Sequence, residues 1–385
     1  MTKAKTVMII AGEASGDMHG AGVVQEMLKL DPTLKFYGIG GKKMAKAGVK
    51  LLANTSEMAV VGFTEVIVKL HKFLKVLALA KKSLDEFHPD LVILIDFAAF
   101  NLRFAPEARK RGIKVFYYIG PQVWASRKYR IRKIKKVVDK MAVILPFEVE
   151  TYKQKGFSVE YVGHPLLDLV VPNYSKAESR KKFNIPENKT TIGLLPGSRI
   201  AEVEKLLPEM LLAAAILAQK IPDIHFVLPL ADSLEKKLVT DIVCRSDVKV
   251  DVISGHAYDV ISCADLAIVA SGTATLETAL LGIPMIIVYK TSPITYFIGK
   301  MLVTVKNIGI VNIIAGKTIV PELIQDDAAG DNIAREALAI LTNNVRKKEI
   351  ISQLAAIRTK LGKPGAAGRA AQLAYDMIKE SYGNI

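Results

Sequence analysis

The chain has 385 residues, 50% hydrophobic and 24% charged, with two cysteines and a formal net charge of +15. That composition excludes a disordered chain and a disulfide scaffold, and the length favours two domains. The charge calls for an acidic partner, and no apolar run approaches the ~18–20 residues that a membrane-spanning helix needs.

In chain order, "MTKAKTVMIIAGEASGD" has a basic flank and an apolar run cut short by Glu13, which predicts a first strand rather than a secretory leader. "AGEASGD" (11–17) then opens the helical "GAGVVQEMLKL". Its two glycines and Ser15 allow a tight turn with free amides, a candidate anion or sugar site, although a Gly-rich first turn also serves packing. It is neither GxGxxG nor Walker A, so dinucleotide binding and P-loop chemistry drop out.

"VIVKLHKFLKVLALAKKSL" (66–84), wound at ~100° per residue, gathers Val66, Leu70, Phe73, Leu74, Leu77 and Leu84 into a core stripe. Val68 and Leu79 fall instead among Lys72, Lys75 and Lys82. Apolar residues within a lysine face suit an anionic interface, or a contact with a partner chain or loop. "LVILIDFAAFN" (91–101) is a buried strand ending in Asp96, either a helix cap or a site. "KVFYYIG" and "MAVILP" are further strands, with "NLRFAPEARKRG" a helix before them. "RKYRIRKIKK" (127–136) has seven basic residues in ten. It reads as a solvated helix face or a docking patch, and its one aromatic, Tyr129, makes no stacking platform for RNA. His19 and His164 read as structural.

The polar stretch 170–189 marks a break. Beyond it "TIGLLPG", "HFVLPL", "KVDVIS", "LAIVAS" and "PMIIVY" alternate with helical segments, and the tail from about 331 has helical patterns only. Continuous β-branched runs between helices mean parallel sheets covered on both faces. The expected fold is α/β: two doubly wound Rossmann-like domains, 1–170 and 171–345, facing a cleft, with helices 346–385 that cross back or exchange in a homodimer. Cys244 and Cys263 are expected in the core. No metal-ligand spacing and no Asp-x-Asp pair occur, so no metal or cofactor is expected.

Ligands bind at the carboxyl ends of such strands. "LLPGSRIAEVE" puts Ser198 and Arg199 at a strand–turn–helix junction, and "ASGTATLETAL" (270–280) puts Ser271, Gly272 and Thr273 at a helix N-terminus with Glu277 one turn in. The second motif alone also fits capping by Thr273. With an arginine fork at a neighbouring strand end, the set forms a nucleotide diphosphate site, Glu277 reaching for the ribose hydroxyls.

The ordered set "AGEASGDMHGA", "PQVWA", "LPFE", "GHPL", "LLPGSRIAEVE" and "ASGTATLE" resembles the lipid-A-disaccharide synthases, glycosyltransferases of the GT-B fold. The resemblance implies an inverting transfer of 2,3-diacylglucosamine from UDP to the 6-hydroxyl of 2,3-diacylglucosamine 1-phosphate. The products are UDP and a β-1,6-linked disaccharide 1-phosphate. It implies a cytoplasmic enzyme, peripheral on the inner membrane, with an anionic membrane surface and no nucleic acid among its partners. It also implies that Arg199 and Asn312 serve UDP, Glu277 the ribose, and Asp96 the base; if Asp96 is not the base, Glu13 is next in line. Glu13, Ser15, Asn101 and Gln122 fall to the acceptor side; Val66, Val68, Leu70, Phe73 and Leu79 fall to the membrane and acyl chains. A nucleotide-sugar 2-epimerase or the peptidoglycan glucosaminyltransferase would share the diphosphate logic without an acyl-binding surface. A basic nucleotide-binding scaffold would not need Asp96.

Overall fold

The computed structural model describes residues 4–54, 65–124, 129–292, 296 and 307–380, and the side chains of these except Ala14 and residues 65–70. The chain divides into two compact units, Met1–Pro165 with Lys363–Ile385, and Leu166–Gly362.

Unit 1 runs β1 (Thr6–Ala11), α1 (Ala14–Leu30), β2 (Lys35–Gly40), α2 (Lys42–Lys46), β3 (Val49–Asn54), α3 (Glu65–Phe87), β4 (Leu91–Ile95), α4 (Ala98–Lys110), β5 (Lys114–Tyr118), α5 (Arg130–Val137), β6 (Lys140–Val143), α6 (Pro146–Lys153) and β7 (Glu160–Tyr161). Its strands form one parallel sheet in the order β3-β2-β1-β4-β5-β6-β7. Successive side chains of a strand point to opposite faces, and both faces are buried here. Met8, Ile10, Val92 and Leu94 pack with α3, α4 and α5, whereas Val7, Ile9, Leu91 and Ile93 pack with α1 and the C-terminal helix. Asp17 of the first motif is structural: its buried carboxylate caps α2, accepting from the amides of Gly41, Lys43 and Met44.

Unit 2 runs α7 (Leu166–Leu169), α8 (Lys176–Lys182), β8 (Thr190–Leu195), α9 (Ile200–Lys220), β9 (Ile224–Leu230), α10 (Lys236–Val243), β10 (Val250–Ser254), α11 (Ala257–Ser262), β11 (Leu266–Ala270), α12 (Thr273–Leu280), β12 (Met285–Tyr289), α13 (Ile310–Ala315), β13 (Glu322–Ile324), α14 (Gly330–Leu341) and α15 (Asn344–Lys360). The sheet is again parallel, ordered β10-β9-β8-β11-β12-β13. A last helix, α16 (Ala366–Glu380), returns to unit 1 against α1, β4 and β5.

Several expectations change. The break falls after residue 165 rather than 170, because Leu166, Leu167 and Val170 are buried in unit 2 and Asp259 hooks the amides of Asn173 and Tyr174. The tail 346–385 is not one piece: α15 stays with unit 2, and Ala370, Ala371, Ala374, Met377 and Ile378 of α16 fill the unit 1 core. Leu74, expected in the core stripe of α3, is 52% exposed. The buried line is Leu77, Ala80 and Leu84 with Phe73 half-buried above it, and Leu74 lies one ~100° step off that line. Cys244 is exposed where α10 ends, while Cys263 is buried. Strands β2, β3 and β13 carry no apolar run: β2 holds two glycines, β3 a lysine and an asparagine, and β13 is three residues long. Val66, Val68 and Leu70 have side chains outside the described set.

Candidate active site

In each unit the strand order reverses direction at one point, between β1 and β4 and between β8 and β11. Connections leaving the two strands at such a point part to opposite faces, and the crevice outside their carboxyl ends is where doubly wound sheets bind ligands. The sequence motifs sit at these four ends.

After β8, Arg199 is the N-cap of α9, its side chain 73% exposed; Nη1 donates to Glu202 Oε1 at 2.9 Å. Ser198 precedes it, exposed. After β11, half-buried Ser271 leads to Gly272 and Thr273, both exposed. The N-cap is Gly272, not Thr273, and among the described residues no side chain caps the helix, so the amides of Thr273 and Ala274 are left for an anion. Among the described residues, nothing beyond its own chain neighbours and helix backbone lies within 4 Å of a Cβ built at Gly272, which leaves open space beside it.

Glu277 is half-buried, and burial raises its carboxyl above the ordinary glutamate range. Tyr258, on α11, donates its hydroxyl to Glu277 Oε1 at 2.9 Å, which steadies the carboxylate and opposes that rise. Sequence reading missed Tyr258, since nothing local marks a tyrosine 19 positions away as a partner.

Asn312 sits on α13, which packs against α12. It is fully buried, donating to the carbonyl of Val320 and to Glu322 Oε1, and accepting from the amides of Ile319 and Val320. Both amide hydrogens and the side-chain oxygen are used within the chain, which gives Asn312 a role in holding the 319–322 segment. Glu322 in turn accepts from the amides of Ile308 and Gly309, fixing the entry to α13.

In unit 1, Glu13 follows β1 and Asp96 follows β4. Burial raises the Asp96 carboxyl to about 6, the negative charge of Glu13 adds to this, and the Phe97 amide pulls the other way. Asp96 and Phe97 both have left-handed backbone (φ 46° and 43°), as does Ile119 (φ 56°) at the end of β5. Aspartate tolerates this region; phenylalanine and isoleucine are outliers there, each at about 1–3 kcal/mol. The turn is braced on every side. The Asp96 amide donates to the Ile119 carbonyl at 3.0 Å, and the Asp96 carbonyl accepts from Tyr117 Oη at 2.6 Å and Asn101 Nδ2 at 2.7 Å. The Phe97 ring lies so close over Gly12 that a Cβ there would fall 2.0 Å from it.

Other predicted positions divide. Asn101 is fully buried, and its side-chain amide nitrogen braces the Asp96 turn. Phe73 is held edge-on by Phe97 and Phe100, at 6.5 and 5.4 Å, and so belongs to the packing behind Asp96. Ser15 is half-buried on the first turn of α1, Gln122 is exposed after β5, and Leu79 is 41% exposed. Burial lowers His19 to about 4 and His164 to about 3, with the charge of Lys43 adding at His19 and that of His19 at His164; both are neutral at physiological pH.

A sequence model described as lipid-A-disaccharide synthetase matches residues 7–375. The lipid-A-disaccharide synthase of Syntrophus aciditrophicus strain SB is 53% identical over 98% of this chain and 99% of its own. The chain belongs to the lipid-A-disaccharide synthetase family. The synthase of Geobacter sulfurreducens is 46% identical over 97% of each chain. Membership gives the activity: a glycosyltransferase of lipid A biosynthesis that forms the β-1,6-linked disaccharide. Among solved structures, the S. aureus MnaA–UDP co-structure has a TM-score of 0.66 at 13% identity, covering 99% of this chain and 98% of that one. That likeness is one of fold, and two α/β units with parallel sheets agree with the GT-B-like glycosyltransferases.

Asn312→Ala separates a role in the fold from direct contact with UDP. It strands buried amides of the 319–320 segment and a hydrogen-bonding position of Glu322, at about 1–3 kcal/mol for each group left unpaired. The urea midpoint should fall while the folded fraction keeps its UDP affinity; an unchanged midpoint with lost UDP binding would return Asn312 to the ligand.

Proposed function

We propose that unit 2 holds the UDP-linked 2,3-diacylglucosamine donor and unit 1 activates the 6-hydroxyl of 2,3-diacylglucosamine 1-phosphate, as in a GT-B enzyme. The observation that carries this is Asp96, a carboxylate raised to about 6 at the strand-order reversal of unit 1. Deprotonated at neutral pH yet more basic than an ordinary aspartate, it suits proton abstraction from a hydroxyl. Asp96 takes the proton as the hydroxyl oxygen bonds to the anomeric carbon, and the bond from that carbon to the diphosphate breaks with inversion. The electron pair leaves on UDP. Arg199 and the uncapped amides of α12 meet the charge that develops there, and Glu277, steadied by Tyr258, accepts from the ribose hydroxyls. Glu13, exposed, acts on Asp96 through its charge.

We also propose that the protein works peripherally on the cytoplasmic face of the inner membrane. Among the described residues no helix is long and apolar enough to span one. Support for docking comes from one face of unit 1. There α3 exposes Leu74 and Leu79 among Lys72, Lys75 and Lys82, and α5 exposes Arg132, Lys133, Lys135 and Lys136, with Tyr129 just before it. Both helices pack on the same side of the sheet. A leucine buried in lipid contributes up to ~1.5–3 kcal/mol, and each nearby cation ~1 kcal/mol on anionic lipid. Leu74→Ser with Leu79→Ser should reduce co-sedimentation with anionic liposomes and leave UDP affinity unchanged. Sedimentation equal to wild type at low salt would count against this face.

Asp96→Asn keeps shape and removes the base. Turnover should fall by about 10²–10⁴ with UDP binding intact; activity above about a tenth of wild type would place the base elsewhere. In the parent enzyme, activity should rise through pH 6 and level off above it. Stability should move the opposite way. A carboxyl raised from 3.8 to about 6 binds its proton more tightly folded than unfolded. Its contribution is therefore full below pH 4 and lost as pH rises through 6, a difference of about 3 kcal/mol. Asp96→Asn should thus raise the melting temperature at pH 8 and not at pH 4.

A further inference from the structure

The β8–α9 turn holds a negative charge that the transfer chemistry does not use. Glu202 reaches back over it: Oε1 accepts from Arg199 Nη1 at 2.9 Å, and Oε2 accepts from the Ser198 amide at 3.2 Å. The turn is shaped around this contact. Gly197 has φ +115°, and a Cβ there would fall 2.4 Å from Glu202 Oε2 and 2.9 Å from its Cβ. A guanidinium and an N-terminal amide converging on one pair of anionic oxygens is what a phosphate group requires. Here the oxygens belong to the protein.

We propose that Glu202 is an internal competitor for the diphosphate, occupying the anion position at Arg199 and Ser198 and so limiting how tightly UDP is held. This rests on the assignment of Arg199 to the diphosphate. The alternative role, orienting Arg199, is the weaker effect. Arg199 is 73% exposed, and an exposed pair three residues apart on a helix is worth at most about fivefold in any equilibrium. Like charges brought to contact are worth about fivefold even in bulk water, and the Glu202 carboxylate, 24% exposed, is less screened than Arg199. A diphosphate at Arg199 must displace the Glu202 carboxylate or tolerate it as a neighbour, and both weaken binding. The turn does not depend on Glu202 alone, because the Ser198 carbonyl also accepts from Ser233 Oγ at 2.7 Å. The consequence is a site that binds the donor through its sugar and nucleoside contacts and releases the bare UDP product readily.

The test is calorimetric titration of UDP into the full-length protein as wild type, Glu202→Gln, Glu202→Ala and Arg199→Ala, with the product-inhibition constant of UDP measured alongside. Gln keeps an oxygen for the Ser198 amide, so this variant should melt with the wild type and still bind UDP about tenfold more tightly. Glu202→Ala should also bind more tightly despite losing that hydrogen bond. The gain should shrink at high salt, as a repulsion between partly exposed charges does. Unchanged or weaker UDP binding in both Glu202 variants would overturn the proposal and make Glu202 a positioning residue. Wild-type affinity in Arg199→Ala would show instead that the diphosphate lies away from this turn, overturning both readings whatever Glu202 does.

Discussion

The reversal of strand order in a parallel sheet is the constraint on which the rest of this molecule depends. A right-handed crossover carries each connection to one face, so only where the order reverses do two adjacent strands send their connections apart. β1 and β4 do this in unit 1, β8 and β11 in unit 2. Glu13, Asp96, Arg199 and Gly272 each follow one of these four strands. The strands supply rigidity, being apolar, continuous and buried on both faces, and the turns after them are free to carry charge.

The two ends use that freedom differently. In unit 1 the chain accepts strain and burial to raise one carboxylate: left-handed backbone at Asp96, Phe97 and Ile119, and a bare Gly12 beneath the Phe97 ring. Tyr117 and Asn101 then fix the Asp96 peptide from inside the core. Such a turn lowers the stability of the unit that holds it, and the aromatic packing of Phe73, Phe97 and Phe100 offsets part of that. In unit 2 the turns are open instead. Arg199 is exposed, α12 has no side-chain cap, and the buried polar order is kept one layer away, in Asn312 and Glu322 behind and Tyr258 beside Glu277.

What was legible in the sequence follows the range of the interactions. Buried strands are local patterns, and so are the residues at their ends; Asp96, Arg199, Gly272 and Glu277 could each be read from a strand–turn–helix rhythm. Tyr258 and Glu322 act through contacts with residues 10 to 19 positions distant, and no periodicity encodes those. Asn312 came only from the family resemblance, and its neighbourhood is made by the chain returning through 319–322, so its burial appears only in the fold. The domain boundary moved for the same reason: Asp259 secures Asn173 and Tyr174 from across unit 2. On α3, one helical step decided the outcome, since the stripe is narrower than a wheel drawn over 66–84 suggests and Leu74 turns outward with Leu79.

The central claim is that the fold itself, through burial and the nearby charge of Glu13, makes Asp96 a base matched to neutral pH. The direct measurement is the carboxyl carbon titration of Asp96 by NMR on protein labelled at aspartate, assigned with Asp96→Asn and repeated in Glu13→Gln. A titration near 6 that moves toward the ordinary aspartate value in Glu13→Gln is the predicted result. A midpoint close to 4 in the wild-type protein would contradict it.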